Sequence, residues 1–116
     1  MSDMDCVFCK IVNGEIPSPR VYEDDVCIAI NDIQPKAPVH VLVMPKTHDI
    51  TCADDINEDN SAVIAHIFSV IPKIAEKLGV TGAYRVVNNC GEQAGQTVKH
   101  LHFHILGGKE LSDEMA

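Results

Sequence analysis

The chain has 116 residues, with 9 basic and 17 acidic side chains, a formal net charge of −8 and 46% hydrophobic residues. A single domain of this size buries about two-thirds of its unfolded surface, so its core needs no disulfide staples. The acidic balance, without a long basic stretch, excludes a protein that wraps duplex nucleic acid, where neutralised phosphates supply most of the affinity.

A small phosphorylated ligand stays compatible with that charge, because a local cradle of backbone N–H groups can outweigh it. No run approaches 18 apolar residues, so no ordinary membrane-spanning helix is expected. Residues 1–10 are polar and acidic, unlike a secretory signal. Five cysteines is an odd number, and Cys27, Cys52 and Cys90 stand alone in different segments. Free thiols in a reducing cytoplasm fit this pattern better than an exported disulfide framework.

The first twenty residues lack periodicity and are punctuated by Gly14, Pro17 and Pro19. Two short apolar runs, 21–23 and 26–30, flank the turn-prone Asp24 and Asp25 and predict a hairpin. Glu23, Asp24 and Asp25 read as a solvated turn and nothing more. Residues 39–44 predict a strand bounded by Pro38 and Pro45, which suit strand ends. From 61 to 78 the apolar residues Val63, Ile64, Ile67, Phe68, Ile71, Ile74, Ala75 and Leu78 recur at three- and four-residue steps, a helical stripe. Asp54, Asp55, Glu58 and Asp59 precede it, where the helix dipole favours acids. Gly79 is placed to stop the helix, and Pro72 to kink it or mark a weak turn. Strands at 84–88 and 101–106 complete an α+β fold: a mainly antiparallel sheet of about five strands with one long helix across a face.

The most informative segment is His100-Leu101-His102-Phe103-His104-Ile105-Leu106. On a strand, alternate side chains share a face, so three imidazoles would point one way and the apolar residues into the core. A solvated His-rich face is one reading. A three-histidine metal centre is a second, strained because the outer rings would start about 13 Å apart. The third divides labour around a phosphate, one ring as nucleophile and another as donor, which suits an unperturbed pKa of about 6.5. The connection just upstream, residues 88–97, contains Gly91 and Gly95 with amide and hydroxyl side chains. Exposed N–H groups in such a loop would form an anion-binding concavity beside the histidines, with Gln96 and Thr97 adding side-chain donors. The third reading is therefore preferred.

These residues resemble the histidine triad (HIT) family, whose signature alternates three histidines with apolar residues. The runs 37–48 and Gly95-Gln96-Thr97 add to the likeness, and Cys6-Val7-Phe8-Cys9-Lys10-Ile11 is similar to the start of the Hint branch. The match runs from about residue 5 to 108, within one domain that spans 1–116. It implies a HIT-like fold with a short N-terminal helix before the sheet.

The resemblance implies a nucleotide hydrolase, specifically a purine nucleoside phosphoramidase that cleaves a P–N bond. His102 would attack the α-phosphorus and form a covalent nucleotidyl-histidine, which water then hydrolyses. His104 would donate to a phosphate oxygen, and Thr97 would help protonate the leaving amine. His40 matches the family's fourth active-site histidine. Asp32 and Ile33 match its nucleoside pocket, the carboxylate accepting from ribose hydroxyls, and Asn89 matches a further ligand contact. Gly95, Gln96 and Thr97 would cradle the phosphoryl group.

For Cys6 and Cys9 the readings are a redox pair, two free cysteines and half of a zinc site. The zinc site is preferred, with His48 and His100 completing two thiolates and two imidazoles as in relatives carrying this pair. Such zinc would be structural, and no catalytic cofactor is implied. The ligand would be a purine nucleotide, AMP or an AMP–amine conjugate, with neither nucleic acid nor membrane as partner. A homodimer through the long helix and adjoining strand is implied, with Ala65 and Val70 on a second apolar helix face. Residues 109–116 form an acidic tail that departs from the pattern and bears on leaving-group preference. The alternatives are a dinucleoside polyphosphate hydrolase and a non-catalytic purine-nucleotide-binding module. A uridylyltransferase of the galactose-1-phosphate type fits less well, since that branch carries Gln where His104 stands.

Overall fold

The structure is a computed structural model and describes residues 6–114. It opens with a short helix, α1 (Val7–Val12), capped by the Cys6 sulfur, which accepts from the Cys9 N–H. Two strands follow, β1 (Arg20–Glu23) and β2 (Cys27–Asn31), then β3 (Val39–Pro45), the long helix α2 (Ser61–Lys77), β4 (Tyr84–Val87) and β5 (Phe103–Gly107). All pairings are antiparallel, in the order β1-β2-β3-β5-β4. The α+β expectation of five strands and one long helix holds, including the short N-terminal helix.

Strand alternation gives the sheet two different faces. Ala29, Val41, Val43, Phe103 and Ile105 pack against Ile67, Val70, Ile71 and Ile74 of α2. Ile28, Ile30, Leu42 and Met44 point the other way and meet Phe8 and Ile11 of α1. His40 shares the α1 face with Leu42, and His104 is opposite Leu42 in the register. The sheet therefore holds His40 and His104 on the face that the short helix α1 covers.

Four expectations need correction. The last strand begins at Phe103, where pairing with Val43 starts, so His100, Leu101 and His102 lie in the segment before it. Pro72 does not interrupt α2, which runs through it from Ser61 to Lys77 before Gly79 turns the chain at φ +75°. Val70 is buried in the core and forms no second face; Ala65 is exposed, and Phe68 is 47% exposed while its ring edge meets Phe103. Asp54 and Asp55 lie outside the first turn of α2 and occupy their own single turn, Ala53–Asp55, where the Asp55 carboxylate accepts from the Thr51 N–H and hydroxyl.

Asp24 is more than a solvated turn. It accepts from the Val26 and Cys27 N–H groups, from the Tyr22 hydroxyl and from His66 Nε2 of α2 at 2.7 Å. Burial pushes its carboxyl up, but these donors together outweigh that and hold it well below the ordinary carboxylate range. The β1–β2 hairpin is thereby tied to the long helix.

Candidate active site and metal centre

The run from His100 to His104 serves two centres. His100 is fully buried, and its Nε2–H donates to the Pro45 carbonyl at 2.8 Å, which leaves Nδ1 with a lone pair. That Nδ1 lies 3.4 Å from Cys6 Sγ, 3.5 Å from Cys9 Sγ and 3.4 Å from His48 Nδ1; Cys9 Sγ is 3.1 Å from His48 Nδ1. A tetrahedral zinc with bonds of about 2.0–2.3 Å separates its ligands by roughly 3.3–3.8 Å, so the four groups Cys6, Cys9, His48 and His100 could hold a metal. The carbonyl behind His100 supplies the orienting contact that metal-bound imidazoles require.

His102 has the opposite tautomer. Its Nδ1 lies 2.7 Å from the His100 carbonyl, which can only accept, so Nδ1 carries the proton and Nε2 the lone pair. Asn88 Nδ2 donates to the His102 carbonyl at 2.9 Å, and the Phe8 ring meets the imidazole edge-on at 5.0 Å. Backbone and ring are both held.

A second chain of hydrogen bonds orients His104. The Lys36 N–H donates to His40 Nδ1 at 2.9 Å, so His40 carries its proton on Nε2. That Nε2–H donates to His104 Nδ1 at 2.9 Å, with Asp32 Oδ2 3.3 Å away. Neutral His104 then has its proton on Nε2. Burial lowers the pKa of His102 and of His40, the latter against the pull of Asp32. His104 is pushed down to about 4 by burial, with His102 and His40 adding to the effect. At neutral pH the site therefore presents a ring-nitrogen lone pair on His102 and a ring N–H on His104, with ring centres 5.2 Å apart.

Two cavities meet at these rings. One, of about 420 Å³, is lined by polar groups including Asp32, Lys36, His40, Asn89, Thr97 and His104. The other, of about 350 Å³, is walled mainly by Val7, Phe8, Ile11, Ile16, Ile33 and Leu42 and reaches His102 and His104. Asp32, Thr97 and His104 belong to both. The wall from Val7, Phe8 and Ile11 is not among the residues expected from sequence; the apolar spacing around the cysteine pair is its signal. Ile33, 95% exposed, is an apolar side chain beside an open slot.

The glycine loop differs from the expected cradle. The N–H groups of Ala94 and Gln96 donate to the Gly91 carbonyl, and that of Gly95 donates to the Glu92 carbonyl. The buried Gln96 side chain is also engaged: Nε2 donates to the Thr51 and Val98 carbonyls, and Oε1 accepts from the Gly91 N–H. Gln96 is thus a brace rather than a free donor, and the Gly95 amide is spent inside the loop. Gly95 still lines the polar cavity; its φ of +93° favours glycine, and an added Cβ would sit 3.8 Å from the Asn89 side chain. Thr97 is exposed at the junction of the cavities.

A family model described as "Scavenger mRNA decapping enzyme C-term binding" matches residues 5–115. A HIT-like protein of Synechococcus elongatus is 44% identical, the match covering 93% of this chain and 94% of that one. The chain belongs to the histidine triad family. Among solved structures, a HIT family hydrolase from Clostridium thermocellum superposes with a TM-score of 0.93 at 49% identity, covering 97% of each chain. A histidine triad protein from Clostridium difficile gives a TM-score of 0.90 at 52% identity, again over 97% of each. The HIT fold expected from the histidine run is thus met along nearly the whole chain.

Proposed function

We propose that this HIT protein is a nucleotide hydrolase, and specifically a purine nucleoside phosphoramidase. The observation that carries the proposal is the pair of opposite protonation patterns on His102 and His104, each set by a hydrogen bond to its other ring nitrogen. His102 Nε2 attacks the α-phosphorus; a P–N bond forms to the ring as the P–N bond to the leaving amine breaks. The amine departs with a proton taken from solvent and passed on by the Thr97 hydroxyl. The nucleotidyl imidazolium is stabilised by its Nδ1–H donating to the His100 carbonyl. Water then attacks phosphorus, giving up a proton to solvent, and the bond to His102 breaks as the ring leaves as neutral imidazole. His104 Nε2–H donates to a phosphoryl oxygen as charge develops there, an electrostatic contribution that needs no reorganisation.

The apolar slot around Phe8, Ile11 and Ile33 suits a purine ring, and Asp32 keeps lone pairs for ribose hydroxyls beside it. Asn89 and Thr97 serve the phosphate end. Zinc on Cys6, Cys9, His48 and His100 would tie α1 to the sheet and take no part in the chemistry, and no catalytic cofactor is invoked. The half-exposed Phe68 on α2 and the edge strand β4 suit a second copy of the chain. Free thiols at Cys27, Cys52 and Cys90 suit a reducing cytoplasm.

Mixing the protein with an adenosine phosphoramidate and quenching in mild base tests the reading. An adenylyl adduct on the peptide that carries His102 is expected; AMP release with no adduct on any histidine overturns the covalent route. Binding without turnover would favour the nucleotide-binding module instead, and faster cleavage of a dinucleoside polyphosphate the other hydrolase.

A further inference from the structure

The five cysteines fall into three environments. Cys6 and Cys9 belong to the metal centre, and Cys27 is fully buried, its thiol pushed up to about 12 by burial and by Asp24. Cys52 and Cys90 are different. Far apart in sequence, they are both partly exposed, and with Asp54 their sulfur and carboxylate atoms lie within 4.8 Å of one another.

Both loops are already braced together next to the candidate active site. Thr51, before Cys52, accepts from Gln96 Nε2 at 2.6 Å, and its own N–H and hydroxyl are held by Asp55. Cys90 stands between Asn89, which lines the polar cavity, and Gly91, whose N–H donates to Gln96 Oε1 at 2.8 Å. A bond between the two sulfurs would run alongside the Gln96 brace.

We infer that Cys52 and Cys90 form a reversible disulfide when the protein meets a peroxide. One thiol loses its proton and attacks a peroxide oxygen, breaking the O–O bond; the departing hydroxide takes up that proton, giving a sulfenic acid and one water. The second thiol attacks that sulfur, forming the S–S bond and releasing the second water. The two sulfurs together lose two electrons and the two peroxide oxygens gain them. A dithiol reductant reverses the step by exchange. The sulfurs must close to about 2.05 Å. With the 51–55 turn pinned by Asp55, the displacement falls on Cys90 and its neighbour Asn89. Oxidation therefore weakens nucleotide binding, a consequence that rests on the function proposed above, whereas the bond itself does not.

Metal-loaded, full-length protein treated with hydrogen peroxide tests this. Tryptic digestion without reduction is expected to give peptides 47–73 and 86–99 joined, and a dithiol to separate them. Affinity for AMP should fall about three-fold or more on oxidation and return on reduction. C52S and C90S should each abolish the joined species, remove the peroxide effect on AMP, and keep the reduced-state turnover. Over-oxidation of Cys90 without the joined peptide, or a second zinc held by Cys52 and Cys90 that blocks it, overturns the inference. The joined peptide with unchanged AMP affinity overturns the coupling to the cavity. The joined peptide in a protein that binds AMP in neither state upholds the bond and counts against the nucleotide reading instead.

Discussion

His100 and His102 are separated by one residue, yet they belong to different chemistry. Both are buried, and both have lowered pKa values, chiefly through desolvation. What differs is the ring nitrogen each gives to a carbonyl: Nε2 to Pro45 in His100, Nδ1 to His100 in His102. The remaining lone pair faces two thiols and a third imidazole in one case and an open cavity in the other. A ligand and a nucleophile are thus made from the same side chain by the choice of hydrogen-bond partner, and residue type or spacing alone does not separate them.

That contrast can be broken by substitution. His102→Ala should lower turnover by at least about 10³-fold while AMP affinity changes only a few-fold and the melting temperature stays close to that of the parent. Retained activity above a few per cent removes His102 as nucleophile. Replacing Cys6 and Cys9 together by Ser should do the reverse: bound zinc lost, the melting temperature lowered by roughly 10 °C, and turnover per folded molecule nearly unchanged. Zinc content equal to that of the parent defeats the metal centre. Rapid loss of activity on chelation, with near-ultraviolet dichroism intact, would move the metal into the chemistry.

Smaller effects sharpen the comparison. Replacing His40 by Ala removes the donor that fixes His104, and a loss of roughly 10- to 100-fold in turnover is expected. The pH profile gives a further check. His104 resists protonation in the fold down to about 4, whereas the unfolded chain takes up that proton near 6.5. Its contribution to stability is therefore complete above about 6.5 and declines as pH falls toward 4. Turnover should persist well below 6.5, so an acid limb centred at 6.5 would contradict the neutral, donating His104. Initial rates and thermal melts across pH 4–8 measure both.

Much of this was legible in the chain. The helix over 61–77, the hairpin and the central strand follow from periodicity, because burial on one face imposes a repeat. Cys6, Cys9, His48 and His100 were grouped through the resemblance, and the fold brings their donor atoms together. The boundary of β5 was misplaced because alternation continues through Leu101 while ladder pairing starts only at Phe103. Gln96 read as a phosphate donor, since an amide's type does not tell whether its hydrogens are already engaged by Thr51 and Val98. Asp24 likewise looked like any turn acid until His66 arrived from a distant helix. Contacts of that kind are fixed by tertiary packing and leave no local pattern.

The His100 residue touches both centres at once, its ring on one and its carbonyl on the other. Exchanging the ring removes a ligand but keeps the peptide oxygen, so the neighbouring centre can survive it. Inserting or deleting a single residue between positions 100 and 102 leaves no such escape, because it shifts the oxygen out of reach of the next imidazole. This short stretch should accept altered side chains far more readily than altered length.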